Sequence, residues 1–184
     1  MQHHGGRRAE VVKHRKRGIR NVPDFPKPGI IFRDITPVLE NAELFRTSVD
    51  LLAAQREGLA PAKVVGLDAR GFIFGAALAY RLGVGFVAIR KKGKLPAATL
   101  SHSYELEYGC AELEIHRDSI LPGEPVILVD DLLATGGTAK AALHLLEQLG
   151  AKVLALLFVV ELEGLGGRER LAPAVIRSLV SFSE

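Results

Sequence analysis

Short apolar runs alternate with stretches of helical spacing along most of the chain. Lys63–Leu67, Gly85–Ile89, Val126–Val129 and Lys152–Val160 are rich in Val, Ile and Leu. Runs of this kind read as strands buried on both faces. Between the first two, Phe72–Leu82 has helical spacing, with Gly83 as its stop; after the third, Ala139–Leu149 places Leu143, Leu145, Leu146 and Leu149 on a helix that Gly150 ends. Asn41–Gly58 reads as a further surface helix through Leu44, Phe45, Val49, Leu51 and Leu52. Ala111–Ile115 and Val175–Phe182 add two strands. Strand and helix in regular alternation predict an α/β fold with a mostly parallel sheet flanked by helices. No internal repeat and no linker divides residues 22–184, which are expected to form a single domain.

Three stretches break the alternation. Val22–Pro37 contains four prolines, which forbid a regular helix and predict a stiff, extended segment. Pro96–Gly109 is polar with weak periodicity, and reads as a mobile loop or a loose hairpin able to close over a site. Glu161–Arg170 is polar and Gly-rich.

The chain has 184 residues, 48% of them hydrophobic and 24% charged, ordinary values for a soluble globular protein. Its longest apolar run, Val153–Val160, is too short to span a bilayer, so no membrane association is expected. The net charge of +3 is unevenly spread: residues 1–20 hold seven Lys/Arg and one acid, leaving the remainder slightly acidic. The basicity belongs to a leader, residues 1–21, and the folded part gives no reason to expect nucleic-acid binding. His3, His4 and His14 sit in that leader, which reads as a solvated extension rather than a metal-binding or nucleic-acid-binding arm. Cys110 is the only cysteine, so no disulfide can form within the chain. With no apolar segment of secretory type at the start, a reducing, cytoplasmic setting is expected.

Chemistry concentrates in Val126-Ile-Leu-Val-Asp-Asp-Leu-Leu-Ala-Thr-Gly-Gly-Thr138. A buried strand, two carboxylates and a small-residue loop lead into a helix. In open α/β sheets, ligands bind at the carboxyl ends of strands. A helix start presents unpaired N–H groups that suit a phosphate. Gly136 and Gly137 allow close approach of an anion, and Thr135 and Thr138 add hydroxyl donors. Asp130 and Asp131 would repel that phosphate, so they are expected to face sugar hydroxyls or a metal-loaded ligand. The stretch asks for a phosphate at one end and a diol nearby. A second strand-end loop, Asp68-Ala-Arg-Gly71, and four bases within Arg90-Lys-Lys-Gly-Lys94 suit a further anion, read as a diphosphate. Gly83-Val-Gly-Phe-Val-Ala88 fits a loose dinucleotide pattern, but it follows a helix and enters a strand, the reverse of the required context.

Together these segments resemble the adenine phosphoribosyltransferases, members of the type I phosphoribosyltransferase family. Val129-Asp-Asp-Leu-Leu-Ala-Thr-Gly-Gly-Thr138 is similar to the family's phosphoribosyl-diphosphate (PRPP) motif. Arg90-Lys-Lys-Gly-Lys-Leu-Pro96 and Asp68–Gly71 are similar to its diphosphate-binding segments. Phe25-Pro-Lys-Pro-Gly-Ile-Ile-Phe-Arg-Asp-Ile-Thr-Pro37 resembles its N-terminal hood, and Tyr104-Glu-Leu-Glu-Tyr-Gly109 its lid. The likeness implies the type I fold, a mostly parallel sheet with a small N-terminal hood spanning mainly residues 22–38. It implies transfer of the 5-phosphoribosyl group from PRPP to N9 of adenine, giving AMP and diphosphate in purine salvage. It implies Mg²⁺ carried mainly by PRPP or diphosphate, no protein metal ligand, and a homodimer. In its terms Asp130, Asp131 and Ala134–Thr138 (Ala134, Thr135, Gly136, Gly137, Thr138) bind the ribose and 5′-phosphate. Asp68, Ala69, Arg70, Gly71, Arg90, Lys91 and Lys94 bind the diphosphate. Ile31, Phe32, Arg33 and Leu132 meet the adenine. Glu107, Tyr108 and Arg70 are catalytic. From the residues alone Glu105, Glu107 and His102 are indistinguishable, and only the family pattern chooses Glu107. Gly167-Arg-Glu-Arg-Leu171 resembles the family's Gly-Arg-x-Lys-Leu segment, with no role attached. A xanthine or hypoxanthine/guanine phosphoribosyltransferase, or a non-catalytic PRPP-sensing regulator, is the alternative.

Overall fold

Alternating buried and exposed positions organise residues 18–106 and 109–183, the residues described in the computed structural model. They fall into two compact units that divide between Ser48 and Val49.

In the first unit, β1 (Arg20–Pro23) and β2 (Ile31–Asp34) pair antiparallel, with Asn21 opposite Arg33. The proline-rich segment expected to be simply extended is thus a hairpin. Pro26 and Pro28 occupy its loop, where no ladder donor is needed, and Pro23 ends β1. Pro37 falls in the first turn of α1 (Thr36–Glu40), where its missing N–H costs nothing. Asp34 closes the junction. It accepts the Thr36 N–H at 2.9 Å and Arg20 Nε at 2.9 Å. The Thr36 hydroxyl and N–H, and then Arg20, hold its carboxyl down at about 2. The helix α2 (Ala42–Gln55) follows, with Asn41 Oδ1 accepting the N–H groups of Glu43 and Leu44.

The second unit is built on a sheet whose order is β5-β6-β4-β3-β7-β8-β9. Its parallel strands are β3 (Lys63–Leu67), β4 (Gly85–Lys91), β7 (Pro125–Leu133), β8 (Lys152–Glu163) and β9 (Ile176–Ser183). On the β4 edge, β5 (Thr99–Leu106) and β6 (Gly109–His116) form an antiparallel hairpin. The stretch expected to be a loop or loose hairpin is therefore largely strand. Leu100, His102 and Tyr104 are half-buried while Ser101, Ser103 and Glu105 are exposed.

The helices α3 (Arg70–Leu82) and α4 (Gly137–Gln148) cover the sheet, and a short α5 (Gly167–Leu171) precedes β9. Val65, Leu67, Leu128, Leu156 and Phe158 pack with Ala141, Ala142, Leu145 and Leu146 of α4 in one core. Their neighbours Val64, Ile127, Val129 and Leu157 point to the opposite face and are equally buried. Both faces being covered, near-continuous apolar strands follow. From β3 the chain crosses to β4 on one side; from β7 it crosses to β8 on the other. The carboxyl ends of β3 and β7 thus flank the point where strand order reverses, the place where open α/β sheets bind ligands.

Candidate active site

At that switch point a cleft of about 440 Å³ opens, lined by residues from the ends of β3 and β7 and the starts of α3 and α4. The strand β7 runs four residues past Val129, because Asp130, Leu132 and Leu133 still pair with Phe158, Val160 and Glu161 of β8. The two aspartates are therefore strand residues, not members of the following loop. Asp131 is buried and Asp130 half-buried.

Arg70, the first residue of α3, donates from Nε to Asp131 Oδ2 at 2.5 Å. The Asp131 N–H in turn donates to Asp130 Oδ1 at 2.9 Å. Burial, together with the adjacent Asp131 charge, pushes the Asp130 carboxyl well above the usual carboxylate range. The pair thus splits: Asp131 is ion-paired with Arg70, while Asp130 is biased toward its protonated form.

Close approach of α3 to β7 depends on Gly71. A Cβ there would lie 2.8 Å from both the Val129 carbonyl and Asp130 Oδ1. The Asp68–Ala69 peptide bond just before α3 is cis. Arg90, near the end of β4, donates from Nε to Asp68 Oδ2 at 3.3 Å and from Nη1 to the Lys94 carbonyl at 3.1 Å, with its guanidinium over the Phe72 ring.

The strand-to-helix loop supplies the other end. Gly136 adopts φ 77° as the cap residue of α4. Residues Ala134–Thr138 then line the cleft with backbone and hydroxyl groups at a helix start. Tyr104 Oη, from β5, stands 3.3 Å from Thr138 Oγ1 and shares a hydrogen bond with it.

The cleft brings together Asp68, Ala69, Arg70, Lys91, Asp130, Asp131, Leu132, Ala134, Thr135, Gly136, Gly137 and Thr138. Gly71 sits behind it and Arg90 joins through Asp68. Lys94 is exposed and does not line the cleft; its N–H and that of Leu95 donate to Glu114 Oε1 at 2.9 and 2.8 Å. Ile31, Phe32 and Arg33 lie on β2 of the other unit. Ile31 is exposed, Phe32 meets Phe25 edge-on at 5.2 Å, and Arg33 Nη1 donates to Asn21 Oδ1 at 2.7 Å. Glu107 and Tyr108 lie outside the described residues.

Two contributors escaped the sequence reading. Glu114 is buried between Leu113 and Ile115. Burial opposes its ionisation, but the N–H groups of Leu95, Gly93 and Lys94 outweigh it and keep the carboxylate below its usual range. It thereby fixes the basic turn after β4. Phe158 forms cleft wall from β8. Neither carries a local pattern that separates it from an ordinary strand residue.

The profile described as phosphoribosyl transferase domain matches residues 38–175. The adenine phosphoribosyltransferase of Carboxydothermus hydrogenoformans is 58% identical over 167 residues, 91% of this chain and 98% of that protein. The chain belongs to the adenine phosphoribosyltransferase family. The crystal structure of the Thermoanaerobacter pseudethanolicus enzyme superposes with a TM-score of 0.90 at 54% identity, covering 93% of this chain and 99% of that one. The Saccharomyces cerevisiae enzyme, crystallised with an imino-altritol bisphosphate and adenine, superposes with a TM-score of 0.88 at 42% identity, covering 94% and 99%. The type I phosphoribosyltransferase fold is thus shared by sequence and by architecture.

Proposed function

We propose that this chain transfers the 5-phosphoribosyl group of PRPP to N9 of adenine, yielding AMP and diphosphate, as a step of purine salvage. The carrying observation is the juxtaposition in one cleft of an acid pair at the end of β7 and a glycine-threonine loop opening α4. That arrangement suits a ligand that carries a sugar diol with a phosphate nearby.

The chemistry follows from charge. As diphosphate leaves, C1 of the ribose becomes electron-poor. Asp130 and Asp131 hold the ribose hydroxyls and place negative charge beneath that carbon. Asp68, Ala69, Arg70, Gly71, Arg90 and Lys91 receive the diphosphate, and the backbone of this loop orients it. Ala134–Thr138 anchors the 5′-phosphate away from the reacting bond, so its binding energy is spent on position. By the likeness of residues 25–37 to the family hood, Ile31 and Arg33 are assigned to the adenine through backbone groups and Phe32 through its ring. Glu107 accepts the N7 proton as N9 attacks, and Tyr108 helps close the site against water. The last two assignments rest on the likeness of Tyr104–Gly109 to the family lid.

Asp130 and Asp131 are the acids of the β7 end, and Arg70 already engages Asp131. Among the described residues no group of three or more His, Cys, Asp or Glu is placed to hold a metal ion. A Mg²⁺ would therefore arrive on the oxygens of PRPP and keep waters, with no protein ligand required. Carried by the diphosphate, the ion would offset the charge of that leaving group. The same reading includes a homodimer in the cytoplasm. A single cysteine fits that setting, and no helix among the described residues is long and apolar enough to cross a membrane.

The test is the double variant D130N/D131N. It should keep its fold by circular dichroism and lose AMP formation by at least about a hundredfold, as removal of transition-state charge stabilisation does. Turnover at the parental rate would refute the role given to the acid pair.

A further inference from the structure

The small helix α5 is seated directly on the phosphate loop. A Cβ on Gly136 would lie 3.0 Å from the Gly167 carbonyl and 3.4 Å from Leu171 Cγ. Gly167 itself abuts the Ala134 carbonyl, so close that no side chain fits there. Positions 167, 170 and 171 share one helix face by their i, i+3 and i+4 spacing. Gly167 and Leu171 bury that face against the loop, and Arg170 is carried with them. Its Nη1 reaches to 3.3 Å from where a Cβ on Gly137 would be, while the Tyr104 ring lies 4.0 Å from the same point. Arg168 turns the other way and is fully engaged: Nε and Nη2 donate to the two oxygens of buried Glu161 at 2.5 and 2.6 Å.

Arg170 has no such engagement. Among the described residues its guanidinium makes no ion pair and no side-chain hydrogen bond. The loop it overlooks, Ala134-Thr-Gly-Gly-Thr138, contains no basic residue. The cleft beside that loop is lined by Asp68, Asp130 and Asp131 against Arg70 and Lys91, and Arg70 is paired with Asp131. A phosphate dianion at residues 134–138 therefore meets only neutral donors from the loop itself, beside a cleft whose three carboxylates outnumber its two cations.

We propose that Arg170 is a side-chain ligand of the 5′-phosphate, supplying the charge that the loop lacks. The inference rests on the PRPP reading of the cleft and assigns a binding residue to it. An arginine suits the task, since its fork of N–H donors matches two phosphate oxygens at once. The helix α5 then has a function of its own: its Gly167–Leu171 seat aims this cation at the start of α4.

Ribose 5-phosphate and Mg²⁺-diphosphate are titrated calorimetrically into the full chain, into Arg170→Gln and into Arg170→Lys. The thermal midpoint of each protein is recorded alongside. Loss of one charge-assisted bidentate contact should weaken ribose 5-phosphate binding in Arg170→Gln by about tenfold or more. Arg170→Lys, which keeps the charge but not the fork, should recover part of it, and diphosphate affinity should be unchanged in both. Equal ribose 5-phosphate affinity in Arg170→Gln and the parent overturns the proposal. So does a parallel loss of both ligands with a lowered midpoint, which would make Arg170 a structural residue. Failure of the parent itself to bind ribose 5-phosphate would instead bring down the PRPP reading on which the proposal stands.

Discussion

Replacing Gly71 by alanine tests how the diphosphate loop is positioned. The added Cβ would lie 2.8 Å from the Val129 carbonyl, 2.8 Å from Asp130 Oδ1 and 3.2 Å from Asp130 Cα. Carbon and carbonyl oxygen rest in contact at roughly 3.3 Å or more. The start of α3 and the end of β7 must therefore part by about half an ångström, and the atoms in the way are largely backbone. Overpacking of this kind costs about 1–3 kcal/mol. In a chain of this size that lowers the midpoint of thermal unfolding by roughly 2–12 °C. The functional effect should be larger than the stability effect suggests. Arg70 moves on one side of the contact and Asp130 on the other, so the ion pair with Asp131 and the diphosphate loop are displaced together. A misplacement approaching 1 Å costs up to about a hundredfold in rate, so a loss of about tenfold in kcat/KM for PRPP is expected from half that shift. Differential scanning calorimetry and steady-state AMP formation read the two effects. A Gly71→Ala protein with the parental midpoint and the parental kcat/KM would refute the claim that this glycine sets the spacing of the two loops.

Further expectations follow from the same geometry. Burial and the Asp131 charge raise the Asp130 carboxyl well above the usual carboxylate range. Binding of Mg²⁺-PRPP should favour its ionised form, so calorimetry in buffers of different ionisation enthalpy should show proton release. Affinity should rise with pH through the raised pKa of Asp130, and both effects should vanish in Asp130→Asn. A double-mutant cycle on Arg70→Ala and Asp131→Ala should give PRPP-binding effects that fall short of additivity, because the 2.5 Å contact joins the two; strict additivity would show them to act apart. Arg168→Ala strips Glu161 of its main partner, leaving Ser178 Oγ at 2.7 Å. About 1–3 kcal/mol of stability should be lost, a modest figure because Arg168 is half exposed, and Glu161→Gln in the same background should restore part of it. Asp34, held down at about 2, contributes stability to its hairpin above the unfolded carboxylate value of about 3.9. That contribution is lost as pH falls toward 2, and the protection of the Thr36 amide, measured against its intrinsic exchange rate at each pH, should fall over the same range.

The sheet was legible because its parallel strands are buried on both faces. Lys63–Leu67 reads as a continuous apolar run and coincides with β3. The strand β7 was read short because its last four residues include two aspartates, and charge masks a strand that β8 still pairs. The hairpin β5–β6 was obscure for a related reason. Its inward positions are Leu100, His102 and Tyr104, a mixed set whose alternation hydropathy does not register. They face α4, where the rings of His102 and His144 lie 4.1 Å apart. The prolines of residues 22–37 correctly excluded a long helix but concealed a hairpin, since each sits where no ladder N–H is required. In the cleft, the residues named from the central motif lie together because they are adjacent in sequence on one strand, loop and helix. The Arg70–Asp131 pair, the Glu114 support of the basic turn and the approach of Arg170 join positions far apart in the chain, and only packing reveals them.

The most direct test is the choice of acceptor base. Purified protein with Mg²⁺ and PRPP is given adenine, hypoxanthine, guanine or xanthine in separate reactions, and nucleotide formation is followed by initial rate. The account predicts AMP formation from adenine, with kcat/KM for the other bases lower by at least about a hundredfold, as expected where a site hydrogen-bonds the base edge. Turnover confined to another base would leave the phosphoribosyl site standing and contradict the adenine assignment. Binding of PRPP with no turnover on any base would contradict catalysis itself.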